Sequence, residues 1–253
     1  MLTVEQVRLS VLDTQGTINV HREDVLSMIT GITKALFVCG VVAGPLFTAA
    51  WIVEGATRVN YDPLRYPISS LSIGDAGWVQ IATFIITGLL ILAFAIGLRS
   101  ALRRSSSVLG PALVGLAGIG LIGAGIFVTD PLNGYPPGTP LIPTERTIHG
   151  ILHDLFGIPF FLGLPITGIV FARRFARRGQ RGWAAYSAIS GFAMFTVFFF
   201  ARVSLRPGFE EMAGLFGLFQ RITVTIGWAW LTLLAVYMLK APLEIPNAAD
   251  NRT

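Results

Sequence analysis

The sequence predicts an all-α fold: a polytopic membrane helix bundle of six transmembrane helices with both termini cytoplasmic. Three observations carry that prediction. Hydrophobic residues make up 53% of the 253, only 13% are charged, and mean hydropathy is +0.67, which leaves too little polar surface for a soluble domain. Six separate segments are apolar over enough residues to cross roughly 30 Å of hydrocarbon at about 1.5 Å per helical residue. The arginines gather in two short loops between apolar runs instead of spreading over a surface.

The elements follow in order. Residues 1–31 are mostly polar, with amphipathic patches such as "VEQVRLSVL", and form a cytoplasmic tail that suits either a short helix on the membrane surface or a disordered segment. The six spans of the membrane domain, 32–239, are Ile32–Ile52, Gly77–Leu98, Val108–Thr129, Ile148–Phe171, Trp183–Ala201 and Leu215–Leu239. The first is too long, and too far along the chain, to read as a cleaved signal peptide. Residues 240–253, including "APLEIPNAADNRT", form a cytoplasmic tail. The single cysteine, Cys39, sits in an apolar run and permits no intrachain disulfide.

Loop charge sets the orientation. The loops after spans two and four carry Arg99, Arg103, Arg104, Arg173, Arg174, Arg177, Arg178 and Arg181 and no acid, which marks the cytoplasmic side. The loops after spans one, three and five carry Arg58, Arg65, Arg146, Arg202 and Arg206 with Glu54, Asp62, Asp75, Asp130, Glu145, Glu210 and Glu211. A multi-pass protein of the cell membrane follows, partnered by the lipid bilayer. The net charge of +5 then reflects orientation, and no nucleic-acid partner is expected.

Two segments on the same side repeat one another, "YDPLRYPISS" and "DPLNGYPPGTP". The match extends into the spans that follow: Gly88-Leu89 precedes Arg103 by the same spacing that separates Gly163-Leu164 from Arg178. Duplication of a two-span hairpin would give this pattern. So would the general recurrence of Pro, Gly and Arg at membrane boundaries.

Taken together, "YDPLRYPISSLSIGDAGWVQ", "GIFVTDPLNGYPPGTP", "HGILHDLFGIPFF", "RRFARRGQRGWAAYS" and "GLFQRITVTIGWAWL" resemble the domain-of-unknown-function 998 family of bacterial six-span membrane proteins. The resemblance covers about Gly31 to Leu239. It implies the six-span architecture and no particular activity.

Chemistry is concentrated on the side bearing the Asp-Pro-Leu segments. His149 and His153, at i and i+4, share a helix face within roughly 6 Å and could chelate a zinc-type divalent metal. Pro143 and Thr144 predict a helix start with Thr144 as N-cap, which puts His149 about one turn in. A metal would need a further ligand, with Asp130 first among Asp154, Asp62, Asp75 and Glu54. The alternative is that each histidine bonds a nearby carboxylate or carbonyl and ties loops to the bundle. Bis-histidine haem is not expected, because both rings lie on one helix face and the third histidine, His21, is in the tail.

Arg221, beside Gln220 near the end of the sixth span, needs a partner in a low-dielectric setting. Asp130, Asp154 and Glu54 are the internal choices, and an anionic ligand is the external one. Asp62, Tyr66, Gln80, Asp130, Tyr135, Asp154, Gln220 and Arg221 therefore form the predicted ligand pocket. Trp51, Trp78, Trp228, Trp230 and Pro45 suggest aromatic walls or plain packing and anchoring. Gly115, Gly118, Gly120, Gly123 and Gly125 make the third span a central one, while Gly150, Gly157 and Gly163 recur in the fourth.

These features support three readings. The first is non-catalytic binding of a small molecule or lipid at an outward-facing polar pocket, with no cofactor. The second is a metal-dependent membrane hydrolase using the HxxxH pair with Ser69, Ser70 or Ser72. That arrangement is similar to seven-span hydrolases of the alkaline ceramidase type, although here the pair lies in the fourth of six spans. The third is a small transporter, for which Gly44-Pro45 is the one visible helix interruption.

Overall fold

A computed structural model describes residues 4–102, 108–140, 145–206 and 208–241. The order is α1 (Val4–Thr57), a 3-10 turn (Ile68–Ser72), α2 (Gly77–Ala101), α3 (Leu109–Ile126), α4 (Ile148–Ile158), a π turn (Pro159–Gly163), α5 (Leu164–Arg177), α6 (Arg181–Val203), α7 (Glu210–Ala213) and α8 (Phe216–Lys240). Among the described residues six stretches are long and apolar enough to cross a membrane: Ser27–Thr57, Gly77–Ala101, Leu109–Ile126, Ile148–Arg177, Arg181–Val203 and Phe216–Lys240. These are the predicted spans, and several run a turn or so beyond the predicted ends because helix continues past the apolar stretch. α1 is one helix through the position where the tail meets the first span.

Consecutive spans pack as neighbours, and the last closes on the first. α1 packs on α2, α2 on α3, α3 on α4 and α5, α5 on α6, α6 on α8, and α8 on α1. The result is an up-and-down ring, the arrangement short connections favour. α3 has the largest buried share of the six, 56%. Its glycines explain why. A side chain at Gly118 would meet the Gly88 carbonyl of α2, and one at Gly123 would run into the Phe156 ring of α4. Such close backbone approach is what small residues provide where water supplies no driving force between helices.

The two ends of the ring are built differently. The end bearing the arginine loops is zipped by rings, with Phe171 edge-on to Trp230 at 5.8 Å and Phe175 edge-on to Tyr237 at 5.2 Å. α5 stops there because Gly179 takes φ +73°, letting the amides of Gly179 and Gln180 bond the last carbonyls. The opposite end carries the Asp-Pro-Leu segments and is held by hydrogen bonds.

The interruption expected at Gly44-Pro45 is not there, since α1 runs unbroken through Pro45; the irregular span is the fourth, which widens at mid-length where the sequence reading placed nothing. Pro159 and Pro165 bracket the break. Proline lacks the amide proton that the helical ladder needs and crowds the preceding turn, so the chain widens into one π turn between them. Above the break α4 packs on α3 and makes no extensive contact with α6 or α8 among the described residues; below it α5 packs on α6. In its Asp-Pro-Leu half the fourth span is thus held to the ring mainly through α3. At the level of the π turn it reaches the far side of the ring, with Phe161 stacked on Phe198 of α6 at 4.7 Å and Phe160 against Trp228 of α8 at 5.2 Å.

Candidate functional site

The two Asp-Pro-Leu segments meet, and they do so through equivalent positions. Arg65 and Asn133 are each the fourth residue of the repeat. Arg65 Nε donates to the Asn133 carbonyl at 3.1 Å, and Asn133 Nδ2 donates to the Arg65 carbonyl at 2.8 Å. The repeat tyrosines follow suit, with Tyr66 and Tyr135 at 5.0 Å between ring centroids and Tyr61 edge-on to Tyr135 at 5.3 Å. Asn133 holds φ +60°, a conformation asparagine tolerates better than most residues, and its Nδ2 also reaches the Ala213 carbonyl at 2.7 Å. The likeness stops at the loops. Gly88 packs against α3 whereas Gly163 has open space around it, and Leu89 is exposed where Leu164 is buried.

The aspartates of the repeat do different work. Asp130 is buried and accepts from the Thr147 amide at 3.1 Å and the Thr147 hydroxyl at 2.5 Å, with Arg146 at 3.9 Å. Thr147 is the N-cap of α4, accepting from the Gly150 amide at 3.0 Å, so Asp130 places a negative charge at a helix start. This corrects the expected cap: Thr144 lies outside the described residues, and the helix begins at Ile148 with His149 in its first turn. Asp62 instead caps its own turn by accepting from the Leu64 amide and otherwise stays exposed.

Arg221 is buried at 6% exposure, yet among the described residues no carboxylate meets it, contrary to the expected ion pair. Nη1 donates to the carbonyls of Tyr66 at 2.8 Å and Gly217 at 3.1 Å, and Nη2 to the Tyr61 hydroxyl at 2.6 Å. The guanidinium also lies over the rings of Trp51, at 5.2 Å, and Tyr61, at 5.6 Å. An arginine at a span centre costs about 2.5–3.5 kcal/mol, and less near an end. Hydrogen bonds from a charged donor contribute about 1.5–3 kcal/mol each, so three of them and two ring faces offset that cost without an anion. The three acids have other cations. Glu54 pairs with Arg58 at 3.2 Å, Asp154 with Arg146 at 2.9 Å, and Asp130 has Arg146 beside it. Burial pushes the Tyr61 hydroxyl up to about 12 despite the adjacent guanidinium, so it serves Arg221 as a neutral phenol.

Arg221 thereby fastens the first loop over α8, with help from the helix start itself. The amides of Gly217 and Leu218 donate to the carbonyls of Arg65 and Leu64, and the Ile68 amide donates to Gln220 Oε1 at 2.7 Å. Loop carbonyls cap α8 in place of a side chain. Gly217 permits it, since a Cβ there would collide with the Tyr66 carbonyl.

The predicted pocket is therefore divided. Asp62 and Tyr66 line a wide recess of about 540 Å³ on the Asp-Pro-Leu face, together with Asn60, Tyr61 and Pro137. Tyr135 is buried behind Tyr66, and Arg221 lies beneath, bonded to Tyr61. Gln220 borders a second, inner cavity of about 50 Å³, with Ser69, His153 and the rings of Phe47, Phe84, Phe156, Phe160 and Phe161 among its walls. Asp130 lies against the start of α4 and Asp154 midway along it, engaged as described. Gln80 is wholly buried in α2 with neither amide atom paired to protein, as are Glu54 Oε1 and the Ser70 hydroxyl.

The histidine pair diverges. His153 is buried, and its Nδ1 meets the carbonyls of Ala124 at 3.0 Å and Phe127 at 2.8 Å, which α3 leaves unpaired at its end. His149 is exposed and packs edge-on to Phe127 at 5.7 Å. Among the described residues no group of three or more His, Cys, Asp or Glu side chains is placed to hold a metal ion. The histidines thus take the loop-tying geometry for His153 and a surface position for His149. Trp78 is exposed at the start of α2, as an interfacial anchor would be, while Trp228 and Trp230 are packed inside.

Sequence reasoning missed the inner cavity and the π turn beside it. The signal present was Pro159 with Pro165, two prolines six residues apart in an otherwise unbroken span.

A ring of six membrane-length helices closed at one end by rings and at the other by bonded loops defines a multi-pass integral membrane protein. The family is shown by the sequence itself. The chain belongs to the family described as "Protein of unknown function (DUF998)", whose model matches residues 41–237. Neither a curated protein nor a solved structure matches the chain.

Proposed function

We propose that this protein is a non-catalytic binding protein of the cell membrane that holds a small polar molecule or a lipid head group in the recess between its Asp-Pro-Leu loops, facing out of the cytoplasm. The observation that carries this reading is the recess itself. It is a shallow depression, open to its surroundings over most of its face, whose floor and rim offer the Asp62 carboxylate, the Asn60 amide and the Tyr66 ring to a polar group resting there. It is also pre-formed. Arg221, Asn133 and Arg65 fix the loops that make it, so a ligand would not have to order them.

The test is thermal stability of the purified protein in nanodiscs against a panel of lipid head-group analogues and small polar solutes. A stabilising ligand whose effect disappears in Tyr66→Ala, a side chain at the recess wall, supports the reading. A panel without effect, or a ligand equally active on Tyr66→Ala, contradicts it. One observation favours the transporter reading as an alternative: the fourth span carries a π turn beside an internal cavity, and such turns within helices are frequent at functional sites. Counterflow of the same ligand in proteoliposomes would distinguish transport from binding alone.

A further inference from the structure

We propose that the inner cavity is a second binding site, separate from the recess, for the hydroxyl end of an apolar molecule dissolved in the bilayer: an alkanol-like or phenol-like compound. Most of its wall is hydrocarbon, including Phe47, Phe84, Phe156, Phe160, Phe161 and Val224. Three polar side chains interrupt it, and their hydrogen-bonding roles are set by their other partners. Both neighbours of His153 Nδ1 are carbonyls, so Nδ1 carries the proton and the neutral ring keeps Nε2 as an acceptor. Gln220 Oε1 accepts from the Ile68 amide, which leaves Nε2 as a donor. The Ser69 hydroxyl can act either way. A hydroxyl, which donates once and accepts, matches one acceptor and one donor. An ether or ketone leaves His153 unanswered, and an alkane leaves all three.

Size and access agree. About 50 Å³ is room for about two water-sized groups, enough for a hydroxyl and the carbon that bears it. From the Asp-Pro-Leu face the cavity is roofed by the first loop, fastened through Ile68 to Gln220 and through Tyr61 and Tyr66 to Arg221. Toward the side it is bordered by half-buried Phe156 and Gly157 of α4, with Phe161 of the π turn below them stacked on Phe198 of α6. Gly157 has open space beside it, a side chain there meeting only Phe161 at 3.8 Å. The proposed entrance is placed between these half-buried residues of a membrane span, where an occupant's tail would lie in hydrocarbon.

The experiment uses the full chain, labelled with 15N-histidine, in nanodiscs, with 1-hexanol as the probe and 1-methoxyhexane as its hydroxyl-free counterpart. The resonance of His153 Nε2, assigned by its loss in His153→Gln, reports acceptance of a hydrogen bond. We expect it to move with 1-hexanol and to stay with 1-methoxyhexane at equal membrane loading. Ser69→Ala should weaken the response by about fivefold, the worth of one neutral hydrogen bond. Val224→Phe, which fills the cavity, should abolish it. No movement in the wild type, equal movement with the ether, or a response retained in Val224→Phe would each overturn the proposal. None of these outcomes depends on the recess, whose Tyr66→Ala variant should respond to 1-hexanol as the wild type does.

Discussion

The two Asp-Pro-Leu segments use nearly the same residues for different ends. In the second, Asp130 is buried against the start of α4 and Asn133 braces three elements, so its polar groups are consumed by the fold. In the first, Asp62 caps one turn and faces outward beside Tyr66, at the edge of a recess. The difference teaches where to look for function in a membrane protein rich in buried polar groups. A polar side chain whose partners are all protein explains itself, and one left at a cavity with capacity to spare does not.

That contrast can be broken most severely at Arg221. Replacement by methionine would remove three hydrogen bonds of the guanidinium, although the Gly217 carbonyl keeps its helical amide and the Tyr66 carbonyl keeps the Tyr61 hydroxyl. At about 1.5–3 kcal/mol for each hydrogen bond from a charged donor, we expect a loss of several kcal/mol, read as a lower melting temperature in detergent. Adding Asp130→Asn should give no rescue, since Asp130 is engaged elsewhere. Rescue by that change would restore the ion pair as the explanation.

Asn133→Ala comes next. It removes two hydrogen bonds and puts alanine at a positive φ, for about 2–4 kcal/mol, whereas the aligned change in the first segment, Arg65→Ala, spares the Ala213 contact and should cost less. Equal losses would mean that the two segments brace the fold alike.

A smaller effect concerns pH. The Tyr61 hydroxyl ionises at about 12 in the fold against 10.0 when free, so the neutral phenol is favoured by folding. Its contribution is intact below pH 10 and is lost as pH rises from 10 toward 12. Melting temperature should fall through that window in the wild type and fall less in Tyr61→Phe. An identical alkaline profile in both would remove Tyr61 from the account.

Much of this was legible in the sequence, for identifiable reasons. Six spans, a central third span and an arginine needing a partner follow from composition and from the cost of polarity in lipid, which act on each segment alone. The partners did not follow, because choosing among Glu54, Asp130 and Asp154 for Arg221 requires knowing that Arg58 and Arg146 reach those acids first. The carbonyls that actually hold Arg221 belong to Tyr66 and Gly217, and a backbone acceptor has no signature in side-chain identity. The HxxxH spacing did put His149 and His153 on one helix, yet α3 ends beside His153 alone and its orphaned carbonyls claim that ring. The break at Pro159 was written in the chain and passed over because the surrounding hydropathy is uniform.

The smallest expected effect on stability belongs to Asp62→Asn, an exposed change of about 0.5 kcal/mol or less. Joined to Tyr66→Ala it provides the most direct test of the recess as the functional site. The measurement is native mass spectrometry of the protein extracted from its own membrane into nanodiscs, comparing the wild type with the Asp62→Asn, Tyr66→Ala double variant. We predict a reproducible small-molecule or lipid adduct on the wild type that the folded double variant lacks. The same adduct at the same occupancy on both, or none on the wild type, would contradict a binding role for the first Asp-Pro-Leu segment.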